Sequence, residues 1–135
     1  MHNQSLVKDH ITRAGHRFEA LKILHERAAH ADVVREAQEI VELCLKALLR
    51  AANIESPRVH DVSQIMLENQ ERFKKPLQSH ISKLAKISHN LRRDRELAFY
   101  GSEDLTPSEF YTKEDGDKAF EAAKYVYQIC SEQIK

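Results

Sequence analysis

Tryptophan is absent from this 135-residue chain, and glycine, proline and cysteine are scarce, at three, three and two residues. Few glycines and prolines mean few turn signals, so the chain is expected to hold few, long elements. No CxxC spacing occurs, which excludes a zinc ribbon and a thioredoxin-type redox pair. Cys44 and Cys130 each lie in an apolar helical stretch, where buried thiols are expected rather than a bridge. No apolar run approaches the roughly 18 residues of a membrane helix. The polar residues 1–5 are not followed by the apolar run of a signal peptide, so the expected compartment is the cytoplasm, with no membrane partner. Lysine plus arginine balances aspartate plus glutamate at 21 each, which argues against a protein that coats nucleic acid but leaves room for a local basic patch. GxSxG, GxGxxG, HExxH and P-loop patterns are also missing, and nothing implies a cofactor.

What the chain does contain is helical periodicity. Val7, Ile11, Ala14, Phe18 and Leu21 recur at spacings of four and three, which predicts one apolar face on a helix over residues 5–27. Gly15 interrupts that helix at a cost of about 1 kcal/mol relative to alanine, so a close helix contact is expected there. A second helix is predicted from Asp32, as N-cap, to Ala52 or Asn53, with a wide apolar arc running from Val33 to Leu49. A short third helix is predicted over 62–69, with Asp61 as its N-cap. A fourth starts at Pro76 and runs through Leu77, Ile81, Leu84 and Leu91 to Tyr100, with Gly101 as its stop. Residues 102–111 read as a loop. Thr112 with Asp115 reads as a capping box for a last helix ending near Gln133. The expectation is a single all-α domain over 1–135, an up-and-down antiparallel bundle of four to five helices.

Charge is uneven along the chain. Between Glu71 and Arg95, eight basic residues (Arg72, Lys74, Lys75, Lys83, Lys86, Arg92, Arg93 and Arg95) face only Glu71 and Asp94, and beyond Ser102 acidic residues dominate. A basic groove for phosphates is one reading. The ordinary solvated face of an amphipathic helix is the other, and composition favours it. The eight histidines show no ligand-like i, i+4 pairing among themselves, and His89 has Arg93 at i+4, so no metal site is expected.

Three passages together resemble the HEPN superfamily of helical nucleotide-binding domains. They are Lys46-Ala47-Leu48-Leu49-Arg50-Ala51-Ala52, then Pro57-Arg58-Val59-His60-Asp61-Val62, then Arg93-Asp94-Arg95-Glu96-Leu97-Ala98-Phe99-Tyr100-Gly101, followed by Tyr111 and an alanine-rich last helix. The resemblance implies a helical bundle that commonly forms homodimers. Many members are ribonucleases with an arginine followed, after four to six residues, by a histidine. Others accompany minimal nucleotidyltransferases as toxin–antitoxin or substrate-binding partners. In this sequence no histidine has an arginine five to seven positions upstream. Counting from Arg93, the histidine position falls on Ala98, and counting from Arg95 it falls on Tyr100. Tyrosine, with a pKa near 10, is a poor general base at neutral pH.

The expected function is therefore a non-catalytic HEPN-like bundle that binds a nucleotide, an RNA or a nucleotidyltransferase partner. Arg93 and Arg95 would meet phosphate or acidic groups, Asp94 and Glu96 would orient them, and Tyr100 would stack or hydrogen-bond. Arg92, His60 and His89 are secondary candidates, and no catalytic residue is assigned. The alternatives are a divergent metal-independent ribonuclease, with His89 or His60 replacing the lost base, and a structural helical dimer clamped by the arginines.

Overall fold

A computed structural model describes residues 2–56, 62–100 and 105–134, with side chains described for 3–56, 62–93 and 105–134. Among the described residues there is no strand. The elements are α1 (His2–Glu26), α2 (His30–Ala51), α3 (Val62–Glu68), a 3-10 turn (Gln70–Arg72), α4 (Lys75–Gln78), α5 (Ile81–Tyr100), α6 (Pro107–Phe110) and α7 (Lys113–Gln133). The all-α bundle expected from periodicity is the fold observed.

Helix α2 is the central rod, because its apolar arc is wide enough to meet three neighbours. Val33, Val34, Ala37, Ile40, Val41, Cys44, Leu45, Leu48 and Leu49 are all buried. Burying each large aliphatic side chain contributes about 1.5–3 kcal/mol, so this helix anchors α1, α5 and α7 around it. Helix α1 packs antiparallel to α7. Phe18 stacks on Phe120 and Tyr127 at centroid distances of 5.7 and 5.5 Å, and His25 stacks on Phe120 at 4.2 Å. Gly15 makes the close approach its position predicted: a Cβ there would lie 2.7 Å from the Tyr127 hydroxyl. The free thiols of Cys44 and Cys130 are both buried and are neighbours between α2 and α7; burial, then the Cys44 contact, pushes the Cys130 pKa well up.

The connections depart from expectation at three places. Asp32 is not the N-cap of α2. Ala29 holds that position without a side-chain bond, because α1 ends in a tight reversal that delivers the chain directly into α2. In that reversal the amides of Ala29 and Ala28 donate to the carbonyls of Leu24 and His25, and Ala28 takes φ 56°. That left-handed position suits glycine, and alanine occupies it at a cost. The end of α2 repeats the pattern with Asn53 at φ 57° and bonds from Ile54 and Asn53 to Leu49 and Arg50. Asparagine tolerates this conformation better.

The second departure is the helix predicted to run unbroken from Pro76. It divides at Ser79–His80, where the His80 amide bonds only three residues back, to Leu77, before α5 begins. The third is the predicted loop before Tyr111. It contains α6, nucleated by a capping box in which the Thr106 hydroxyl accepts from the Glu109 amide. The capping box of Thr112 and Asp115 at the start of α7 is present as predicted. Asp61 and Gly101, the expected cap and stop, lie outside the described residues.

Candidate functional site

The charged passage singled out in the sequence forms the C-terminal half of α5. Arg92 and Arg93 are exposed, as is His89 one turn before Arg93 on the same face. Asp94, Arg95, Glu96 and Tyr100 belong to the helix, and their side chains lie outside the described residues, as does His60 altogether. Lys74, Lys75, Lys83 and Lys86 are exposed, the ordinary polar face of an amphipathic segment. Lys83 also covers the Tyr125 ring at 3.9 Å.

Of the predicted residues whose side chains are described, Arg93 is the one that lines this pocket. A pocket of about 460 Å³ opens between α2, α5, α6 and α7. Val34, Ile87, Leu91, Ala119 and Ala122 supply an apolar floor, Phe110 and Tyr111 an aromatic wall, and Arg93, Asn90, Lys118 and Asp115 the polar groups. Pockets of about 300–1,000 Å³ with apolar walls and a few polar groups are the usual form of small-ligand sites. Sequence reading missed Phe110, Lys118 and Asn90. Only Tyr111 and Asp115 had drawn attention, one as part of the resemblance and the other as a cap.

Local chemistry holds the wall in place. Pro107 opens α6, whose single turn swings Phe110 and Tyr111 toward α5, and their rings meet edge to face at 5.1 Å and 72°. Tyr111 is buried while Phe110 keeps about a third of its surface in solvent. Asp115 is already committed: its carboxylate accepts from the Thr112 amide at 2.9 Å and from the Thr112 hydroxyl at 3.0 Å. Arg93 and Lys118 are the cationic residues of the lining, and Asp115 is its anionic one. Behind Lys118, Asp117 accepts from Lys113 at 2.8 Å and meets His25 Nε2 at 2.7 Å; Lys113, then His25, holds its carboxyl below the ordinary range.

Arg93, from the passage that carries the resemblance, is the residue of that passage that lines this pocket among the side chains described. The HEPN domain family model matches residues 7–133. The chain belongs to the HEPN domain family. No curated protein and no solved structure matches it. Within this HEPN domain, Arg93 lies beside the pocket, and no histidine of the sequence has an arginine five to seven positions upstream. Among the described residues, no group of three or more His, Cys, Asp or Glu is placed to hold a metal ion. No helix among them is long and apolar enough to cross a membrane.

Proposed function

We propose that this HEPN domain binds a nucleotide, free or at the end of an RNA strand, in the pocket beside Arg93, and does not cleave it. The observation that carries the reading is the placement of Arg93 next to an apolar floor with an aromatic wall. A base stacks on an aromatic face regardless of its identity. A guanidinium grips phosphate through two parallel hydrogen bonds, and a lysine adds a point charge. Cleavage needs a group that exchanges protons near neutral pH. With Ala98 or Tyr100 at the motif position, no imidazole stands there. Two free buried cysteines agree with a reducing compartment, the cytoplasm.

Titrating a fluorescent mononucleotide and a short RNA into wild type, Arg93→Ala and Arg95→Ala tests this. Loss of Arg93 should weaken binding about tenfold or more, in keeping with a hydrogen bond to a charged group. Unchanged affinity in both variants would remove these residues from the site. RNA incubated with the protein should stay intact, and cleavage that is lost in Arg93→Ala would put the ribonuclease reading first.

A second reading has its own observation. Leu105 and Phe110 are among the large apolar side chains most exposed, and both lie at this end of the molecule. They favour a protein partner on the same face, either a second copy of the chain or a minimal nucleotidyltransferase of toxin–antitoxin type. Sedimentation of wild type, Phe110→Ser and Arg95→Ala checks it, and a monomer in all three would exclude the homodimer.

A further inference from the structure

The opposite end of α2 carries a second cleft of different character. It has a volume of about 580 Å³ and lies between the start of α1, the last turns of α2 and the turn that follows. Lys46 and Arg50 stand one helical turn apart on α2, and His10 reaches the same space from α1. Asn3, Asn53, Glu55 and Ser56 complete the polar lining, and Ile54 is its apolar member. Among the described residues, no Phe or Tyr lines it, and the His10 imidazole is its one ring. Lys46 and Arg50 lie 12 and 16 residues beyond Val34, about 18–24 Å along a helix that rises 1.5 Å per residue. The cleft is therefore separate from the pocket at Arg93.

Two independent observations mark this cleft as electropositive and incomplete. The first is the state of His10. Its pKa is lowered by burial, then by Arg50 and Arg13, with a further contribution from Lys46, against an opposing pull from Asp9. The surrounding cations thus disfavour the protonated form of His10. The second is His10 Nδ1, which is buried and has no hydrogen-bond partner among the described residues. Buried polar atoms are nearly always paired.

The cleft is also built. Asn3 Nδ2 donates to the Arg50 carbonyl at 2.8 Å and ties the start of α1 to the end of α2. Arg72 donates to the Asn53 carbonyl at 2.8 Å and pins the turn. A helix C-terminus ordinarily repels anions through its bare carbonyls. Here the carbonyls of Leu48, Leu49 and Arg50 already accept from the amides of Ala52, Ile54 and Asn53 and from Asn3. What faces the cleft is then set by side chains: Lys46, Arg50 and His10, with Arg13 nearby, against Glu55 and Asp9.

We propose that the cleft formed by His10, Lys46 and Arg50 binds a phosphate group. Arg50 offers two parallel donors, Lys46 a mobile ammonium, and His10 becomes a donor when the negative charge of the arriving phosphate favours its protonation. The polar, cationic lining makes this a site for the phosphate. The phosphate is either a terminal phosphomonoester or a backbone phosphodiester of RNA.

The test follows the His10 ring by NMR through a pH titration, at constant ionic strength set with sodium chloride. The charged groups acting on that ring are Asp9 and Arg13 from α1 and Lys46 and Arg50 from α2, and Glu55 from the turn lines the same cleft. Inorganic phosphate, adenosine monophosphate and an RNA oligomer lacking terminal phosphates are added in separate arms. The midpoint of His10 should rise with at least one of them. Movement with the first two identifies a phosphomonoester site, and movement with the oligomer alone a phosphodiester site. Lys46→Gln and Arg50→Gln, both exposed and removed from the core, should each weaken the response about tenfold, the lower range for a hydrogen bond to a charged group. Arg93→Ala should leave it unchanged, so failure of the other pocket does not imitate failure here. An unmoved His10 midpoint in every arm overturns the proposal. So does a shift that survives the Lys46→Gln, Arg50→Gln double variant.

Discussion

The two ends of α2 meet solvent through opposite chemistry. At the Val34 end, an apolar floor and an aromatic wall carry Arg93 and Lys118 at the pocket. At the Arg50 end, an almost wholly polar cleft gathers His10, Lys46 and Arg50. The first can recognise a flat ring and a charge together, while the described lining of the second is suited chiefly to charge. Both stand on the same buried rod, so their separation is set by helix geometry and not by a loop. The lesson is that one rigid element can present two kinds of recognition when its neighbours differ at each end.

The comparison breaks most severely if the rod itself is weakened. Leu45 is fully buried in α2, between Val34 of one end and Lys46 of the other. Leu45→Ala should cost about 2–5 kcal/mol, the range for deleting a core leucine with partial collapse of the cavity. Denaturant unfolding measures the loss, and both ends should lose ligand response together at temperatures near the lowered midpoint.

A smaller change should separate the ends. Thr112→Ala removes the cap that holds the start of α7 and the Asp115 carboxylate beside the Arg93 pocket. It should cost about 1 kcal/mol. Nucleotide binding at Arg93 should weaken, while the response of His10 to phosphate stays as in wild type. Equal losses at both ends would show that the ends are not independent.

The smallest expected effect belongs to the polar end alone. In the folded chain the His10 pKa is lowered from its ordinary value of 6.5, first by burial and then by Arg50. The unfolded chain therefore takes up this proton first as pH falls. Stability from His10 is complete above about pH 6.5 and declines as the solution is acidified. Comparing urea unfolding of wild type and His10→Gln at pH 7.5 and 5.5 isolates this contribution. The acid-induced decline should be shallower in the variant, and an identical decline would remove His10 from the account.

Much of the fold was legible because helical burial is a local pattern. Val7, Ala14, Phe18 and Leu21 on α1, and the arc of α2, are buried as their spacing predicts. Gly15 was legible for the same reason, since a glycine within a strong apolar face signals a close neighbour, here Tyr127. The Thr112 cap was legible because its partner is three residues away. The break at Ser79–His80 was not, because neither residue is a strong helix breaker and the apolar spacing continues across it. The start of α2 was misplaced for a related reason. Asp32 is a better cap than Ala29 by composition, but the tight reversal through Ala28 decides where the helix begins.

The candidate sites divide along the same line. By itself the sequence determined the helical class, the resemblance to the family and the lack of a histidine five to seven positions after any arginine, because each depends on residues close together in the chain. Only the tertiary structure decided that Phe110 and Lys118 share a pocket with Arg93, and that His10 meets Lys46 and Arg50. Those meetings depend on how tightly each connection turns and how the helices pack around α2. Such packing is a property of the whole assembly, and no local spacing records it.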